Sequence, residues 1–137
     1  MVKIYYVYGK TGTGKTWFIY EFLKRYGSKY HGKEISWFDN KYVYEIRVGC
    51  RYTGQPIVFI DNIHLRKQKF DSQIYNKTLV NPNTIFIFTS LYPIEKYKWL
   101  KNLGNKLELK TIHLEKNDPV EIKKDLDKIL DKIISII

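Results

Sequence analysis

The sequence predicts an α/β fold in which a largely parallel sheet is flanked by helices, with residues 1–137 forming a single domain. Three observations predict it. Short runs of β-branched and aromatic residues, such as Lys3-Ile4-Tyr5-Tyr6-Val7-Tyr8, alternate with longer stretches of helical character. Two runs, Ile57-Val58-Phe59-Ile60 and the Ile85-Phe86-Ile87-Phe88 stretch after Thr84, are apolar at every position, the pattern of a strand covered on both faces. A glycine-rich loop, Gly9-Lys10-Thr11-Gly12-Thr13-Gly14-Lys15-Thr16, joins the first strand to the first helix.

Length and composition bound the possibilities. A chain of 137 residues can build one core and is short for two. A hydrophobic content of 44% with 28% charged residues excludes a disordered chain. No apolar run approaches the roughly 20 residues of a membrane span, and Lys3 followed by tyrosines is no signal peptide, so no membrane partner and an intracellular location are expected. Cys50 is the single cysteine, which excludes a disulfide framework and a cysteine metal site and fits a small buried residue in a reducing compartment.

The elements follow in chain order. After the first strand, Trp17, Phe18, Tyr20, Phe22 and Leu23 lie among Glu21, Lys24 and Arg25, a helix with no breaker before Gly27. The loop between them matches G-x-x-x-x-G-K-[ST], a pattern with a physical basis. Its glycines free successive N–H groups to point at an anion, and the start of the helix adds its dipole. Lys15 would then meet the β- and γ-phosphates, and the Thr16 hydroxyl would ligate Mg²⁺. The loop thus marks a P-loop NTPase site for a nucleotide. Glu34-Ile35-Ser36-Trp37-Phe38 reads as a further strand ending at Asp39, and Tyr42 to Val48 as the arm of a hairpin. Asp61 ends the Ile57–Ile60 run, where it would support the metal through water. Thr89 and Ser90 end the next run, the place for a sensor of the γ-phosphate. Leu107 to Leu114 alternates and reads as an edge strand. Asp118 as N-cap, Pro119 at the first position and Glu121 completing a capping box start a C-terminal amphipathic helix. Its apolar residues are Ile122, Leu126, Ile129, Leu130, Ile133 and Ile137.

"GKTGTGKT", "SWFDN", "YTGQPIVFIDN" and "TIFIFTSLYPIEKYKWL", in this order and spacing, resemble the helicase domain of replication initiator proteins of small circular single-stranded DNA viruses and related plasmids. These belong to the superfamily 3 helicases. The resemblance covers roughly Ile4 to Glu115. It implies ATP and Mg as cofactors, single-stranded DNA as partner, a homo-oligomer of the hexameric-ring type, and the cytoplasm or nucleus of a host. The family's nicking domain is not expected in this chain, which opens at the first helicase strand. The chain departs from the pattern in three places. Asn62 stands where the family has its second acid, the base that polarises attacking water. Leu91 stands at the sensor Asn, leaving Thr89 and Ser90 as the nearest polar groups. Lys106 falls near the arginine finger and lacks its bidentate fork. The resemblance therefore implies Lys15, Asp61, Asn62, Ser90 and Lys106 as the catalytic set. Should the base lie elsewhere than at position 62, Asp39, at the end of a neighbouring expected strand, is the next residue to test.

"FIDNIH" and "FIFTS" also look like stretches of AAA+ initiators and loaders. A small-molecule kinase needs several lid arginines, and only Arg25, Arg47, Arg51 and Arg66 are present. No N-K-x-D motif points to guanine, because Asn76-Lys77-Thr78-Leu79 lacks the acid. A non-hydrolysing DNA-binding or assembly subunit that uses ATP as a structural ligand stays open beside the ATPase.

The formal charge of +10 suits a polyanion, and the abundance of Lys, Ile, Tyr and Asn from an AT-rich gene would produce the same excess. Arg66, Lys67 and Lys69 form the first candidate contact with nucleic acid. Replacing these three by glutamate should flatten the slope of log affinity against log salt by about 2, at roughly 0.7 per lost phosphate contact on a single strand. Fluorescence anisotropy with a labelled oligonucleotide reads this slope. An unchanged slope assigns the cluster to a solvated basic loop.

Overall fold

The computed structural model describes residues 3–36, 39, 41–45, 53–65, 84–105 and 107–136. Among these residues β1 (Ile4–Tyr8), β2 (Val43–Glu45), β3 (Ile57–Ile60), β4 (Ile85–Ser90) and β5 (Leu109–His113) form one sheet in the order β2-β3-β4-β1-β5. Every pairing is parallel, with Ile4 opposite Phe86 on one side and Leu109 on the other. The helices are α1 (Lys15–His31), α2 (Lys98–Gly104) and α3 (Pro119–Ile136), with single 3-10 turns at Ile63–Leu65 and Ile94–Lys96.

Side chains alternate across the sheet, so each strand feeds two cores. Tyr5, Val7, Phe59 and Ile87 pack under α1 and α3. Ile4, Tyr6, Ile60 and Phe88 face the other way, onto Ile63, Ile94 and Leu100. β3 and β4 are buried along their whole length, which explains their unbroken apolar sequences. The chain leaves β1 toward the β2 edge and leaves β4 toward the β5 edge. Right-handed crossovers in opposite directions put α1 and α2 on opposite faces.

α3 lies beside α1 on the first face. Asp118 Oδ1 accepts from the N–H groups of Val120 (2.9 Å) and Glu121 (3.3 Å), and its carbonyl accepts from Ile122 N–H. The helix buries Ile122, Leu126, Leu130, Ile133 and Ile134. Arg25 ties the two helices together: Nη1 donates to Asp131 Oδ1 at 2.8 Å and Nη2 to Asp127 Oδ1. Arg25 is thus engaged in the fold; Arg47, Arg51 and Arg66 lie outside the described residues, as does Cys50.

The structure corrects four expectations. α1 does not stop before Gly27 but runs on to His31, capped by Gly32 at φ 69°. Gly27 is there for proximity: the chain turns back after Gly32, and a Cβ on Gly27 would lie 2.4 Å from the Lys33 carbonyl oxygen. Glu34 to Ser36 carry no regular structure, while Trp37 and Phe38 lie outside the described residues. Ile35 is buried against α1 instead of pairing in the sheet. The strand that flanks β3 is β2, from the stretch expected to be a hairpin arm, and it pairs parallel with Val43 opposite Ile57. Asp39 therefore precedes β2, at the amino end of the parallel sheet and away from the loop. Its carboxylate meets Lys41 N–H at 3.2 Å and Lys33 Nζ at 3.8 Å. It is not a candidate base.

Alanine in place of glycine within a helix usually adds about 1 kcal/mol of stability. At Gly27 the added carbon would also lie 2.6 Å from Ile35 Cγ1. Gly27→Ala should lower the stability by about 1–3 kcal/mol. Urea unfolding measures the sign; a gain would show that the Lys33–Ile35 turn gives way freely.

Candidate functional site

The direction in which the chain crosses the sheet reverses between β1 and its parallel neighbour β4, and ligands of open α/β sheets collect outside the carboxyl ends of strands at such a switch in strand order. The Gly9–Thr16 loop leaves β1 at this point. Gly9 N–H donates to the Ser90 carbonyl at 3.1 Å, fastening the loop to the end of β4. Gly12 and Gly14 hold φ of 84° and 90°, a left-handed backbone that favours glycine. Gly14 is also the N-cap of α1, and a Cβ there would lie 2.7 Å from Ile122 Cγ2, so α3 closes over the back of the loop. Thr13 is buried, and its Oγ1 donates to the Lys10 carbonyl at 2.7 Å. Lys15 Nζ reaches across the loop to the carbonyls of Gly9 (2.6 Å) and Lys10 (2.8 Å). Burial lowers the Lys15 pKa, and the negative charge of Asp61 opposes that shift.

The second half of the site is a polar knot between β3 and β4. Thr89, fully buried, donates from Oγ1 to Asp61 Oδ1 at 2.5 Å and accepts from Asn62 N–H at 2.8 Å. Asn62 adopts φ 53°, a left-handed conformation that asparagine tolerates better than most residues. Its Nδ2 donates to Asp61 Oδ2 at 3.4 Å. One hydroxyl thus sets the carboxylate and turns the backbone that follows it.

A cavity of about 510 Å³ lies over the loop. Thr11, Gly12, Gly14, Lys15 and Thr16 form one wall; Asn62, His64 and Leu91 form another. Trp17, Asn117, Pro119 and Ile122 complete the lining with mainly apolar surface. The volume falls within the 300–1,000 Å³ usual for ligand pockets. Among the described residues no three His, Cys, Asp or Glu side chains gather to hold a metal by themselves. Mg²⁺ is usually held through one or two protein oxygens together with phosphate and water, which Thr16 and Asp61 fit.

Of the residues singled out in the sequence, the loop, Lys15, Asp61 and Asn62 come together. Ser90 does not join them. Its hydroxyl points to the opposite face, accepting from Tyr92 N–H at 3.1 Å and lying 3.4 Å from the Tyr97 hydroxyl. The alternation of β4 is the reason: Thr89, not Ser90, shares the face of Asp61 and α1. Lys106, Arg66, Lys67 and Lys69 lie outside the described residues. His64 is not among the residues singled out in the sequence, yet it lines the cavity. The signal was its place three residues after Asp61, in the 3-10 turn that follows β3. Its Nδ1 accepts from Leu91 N–H at 3.3 Å, and its ring meets the Tyr92 ring edge-on at 5.9 Å. Burial lowers the His64 pKa, Lys15 and Lys96 push it the same way, and Asp61 opposes them.

No protein-family model matches the chain, and no curated protein matches it.

Thr89→Val keeps the shape of the side chain and deletes the hydroxyl, leaving Asp61 and Asn62 N–H each short of a partner. It should cost about 1–3 kcal/mol in chemical unfolding, with Thr89→Ser restoring most of the loss. Equal stability of Thr89→Val and the wild type would show that the knot is not a structural requirement.

Proposed function

We propose that the chain is a P-loop ATPase that binds Mg-ATP in the cavity over the Gly9–Thr16 loop, related to the replication helicases of small single-stranded DNA viruses. The observation that carries the proposal is the convergence of a left-handed, glycine-lined loop at a helix start with Lys15 and the Asp61–Thr89 pair at one end of the sheet. With the Gly9 N–H held by Ser90, the loop from Lys10 to Thr16 offers N–H groups to phosphate oxygens. Lys15 offers a cation, and Thr16 and, through water, Asp61 are the residues that would hold the metal. Bound Mg²⁺ supplies charge neutralisation on the outer phosphates. The AAA+ initiators remain the neighbouring class.

Asn62 limits the chemistry expected of this site. An amide can orient water by hydrogen bonding but cannot take its proton as a carboxylate does. Slow or partner-dependent hydrolysis follows, and the side chain's reach toward Asp61 Oδ2 favours a second reading, a subunit that holds ATP without cleaving it. Single-stranded DNA as partner and a ring-shaped homo-oligomer are proposed on the resemblance and the +10 charge.

Titration calorimetry with Mg-ATP and a slowly hydrolysed analogue tests the cradle: binding is expected in the wild type and lost in Lys15→Ala. Absence of binding, with no effect of Lys15→Ala, would sink the proposal. Asn62→Asp is expected to raise phosphate release by about ten-fold, equivalent to about 1.4 kcal/mol of barrier, at little changed nucleotide affinity. A wild type that hydrolyses briskly and slows on Asn62→Asp would place the base elsewhere. Phosphate release measured with single-stranded DNA across protein concentration separates the partner-dependent ATPase from the non-hydrolysing subunit.

A further inference from the structure

The geometry points to His64 as the residue that tells a nucleoside triphosphate from a diphosphate, by donating a hydrogen bond from Nε2 to the terminal phosphate. The inference rests on the nucleotide reading of the cavity given above. Its first support is the tautomer. Nδ1 of His64 accepts from Leu91 N–H at 3.3 Å, so the neutral ring carries its proton on Nε2 and presents a donor there. The lowered pKa agrees with a neutral ring. Among the described residues no hydrogen-bond partner is placed on Nε2.

The second support is position. His64 and the phosphate loop line the same cavity from different elements, the loop from the start of α1 and His64 from the 3-10 turn after β3. Loop N–H groups surround the part of an anion nearest the helix. A donor from the other wall meets what protrudes beyond the loop, and in a nucleotide bound by its phosphates that is the terminal group. Lys15, whose ammonium lies in the same loop, adds the positive charge that draws this group inward.

The third support is rigidity. The segment that anchors the ring is itself tied down: the Tyr6 hydroxyl donates to the Tyr92 carbonyl at 2.6 Å, and Tyr92 N–H donates to Ser90 Oγ at 3.1 Å. A donor fixed before the ligand arrives costs little to organise, and a site built to bond a group discriminates against the analogue that lacks it. Leu91 has no polar side chain to serve as a sensor, but its backbone N–H orients a side chain that has one.

The test compares the affinities of the wild type for Mg-ADP and for a slowly hydrolysed Mg-ATP analogue with those of two variants. His64→Asn keeps an oxygen near Nδ1 for Leu91 N–H and is too short to offer the far donor. His64→Gln places an amide N–H near Nε2 and gives up the anchor. His64→Asn is expected to lower the triphosphate-to-diphosphate preference about ten-fold with diphosphate affinity unchanged, and His64→Gln to restore part of it. The unchanged diphosphate affinity reports that the site is still folded. Equal weakening toward both nucleotides, or an unaltered preference in His64→Asn, overturns the assignment. A wild type that binds both nucleotides and loses both in Lys15→Ala, while His64→Asn keeps its preference, overturns the His64 role and leaves the cradle standing. A wild type that binds neither overturns the cradle and the His64 role together.

Discussion

A parallel sheet covered on both faces leaves polar side chains nowhere to go except the ends of its strands. That constraint organises this protein. β3 and β4 contribute only apolar residues until Asp61 and Thr89, where the strands run out and the backbone can still be held by its neighbours. Since every strand points the same way, the ends that carry these groups all lie at one edge. Gly9, Asp61, Thr89 and Leu91 are drawn together by topology before any side chain chooses a partner.

The covering layers are not passive. α3 packs Ile122 against Gly14, so the loop is backed by an apolar side chain that arrives from a distant part of the chain. Arg25 fixes the same helix to α1 through two aspartates. Exposed ion pairs of this kind contribute little individually, but a bidentate arginine between two packed helices restricts how they slide. The opposite face works differently. Behind β4 the Tyr6 and Ser90 hydroxyls hold the Tyr92 backbone in the segment carrying Leu91, with the Tyr97 hydroxyl 3.4 Å from Ser90 Oγ. Burial and neighbouring charges push the Tyr6 hydroxyl well above its ordinary pKa, keeping it a donor. One face thus shapes the loop, and the other sets the wall across from it.

Much of this was legible in residues. The apolar runs at Ile57–Ile60 and Ile85–Phe88 carry the pattern of doubly covered strands, and a glycine-rich loop between strand and helix has a narrow range of geometries. Parity was less legible: whether Thr89 or Ser90 meets Asp61 depends on which face of β4 looks at α1, and strand register decides that. Ile35 and Val43 show a second limit. Both sit in short apolar stretches of similar quality, but the chain turns at Gly32 and sets Ile35 against Gly27, while Val43 takes the place beside Ile57 in the sheet. His64 shows a third, since a histidine on a single helical turn becomes conspicuous only when the Leu91 N–H beside it is seen.

The central place of β1 has a consequence for how the protein is made. Both of its partners, β4 and β5, come from the second half of the chain. A ribosome therefore delivers β1 and the loop long before β4 and β5 can pair with them, and the two unsatisfied edges of a tyrosine-rich strand must wait. Such long-range pairing closes slowly, and waiting edges of this kind invite association with other nascent chains. During synthesis the residues of the Gly9–Thr16 loop are made well before β4 and β5, and they acquire their final shape only when those strands arrive.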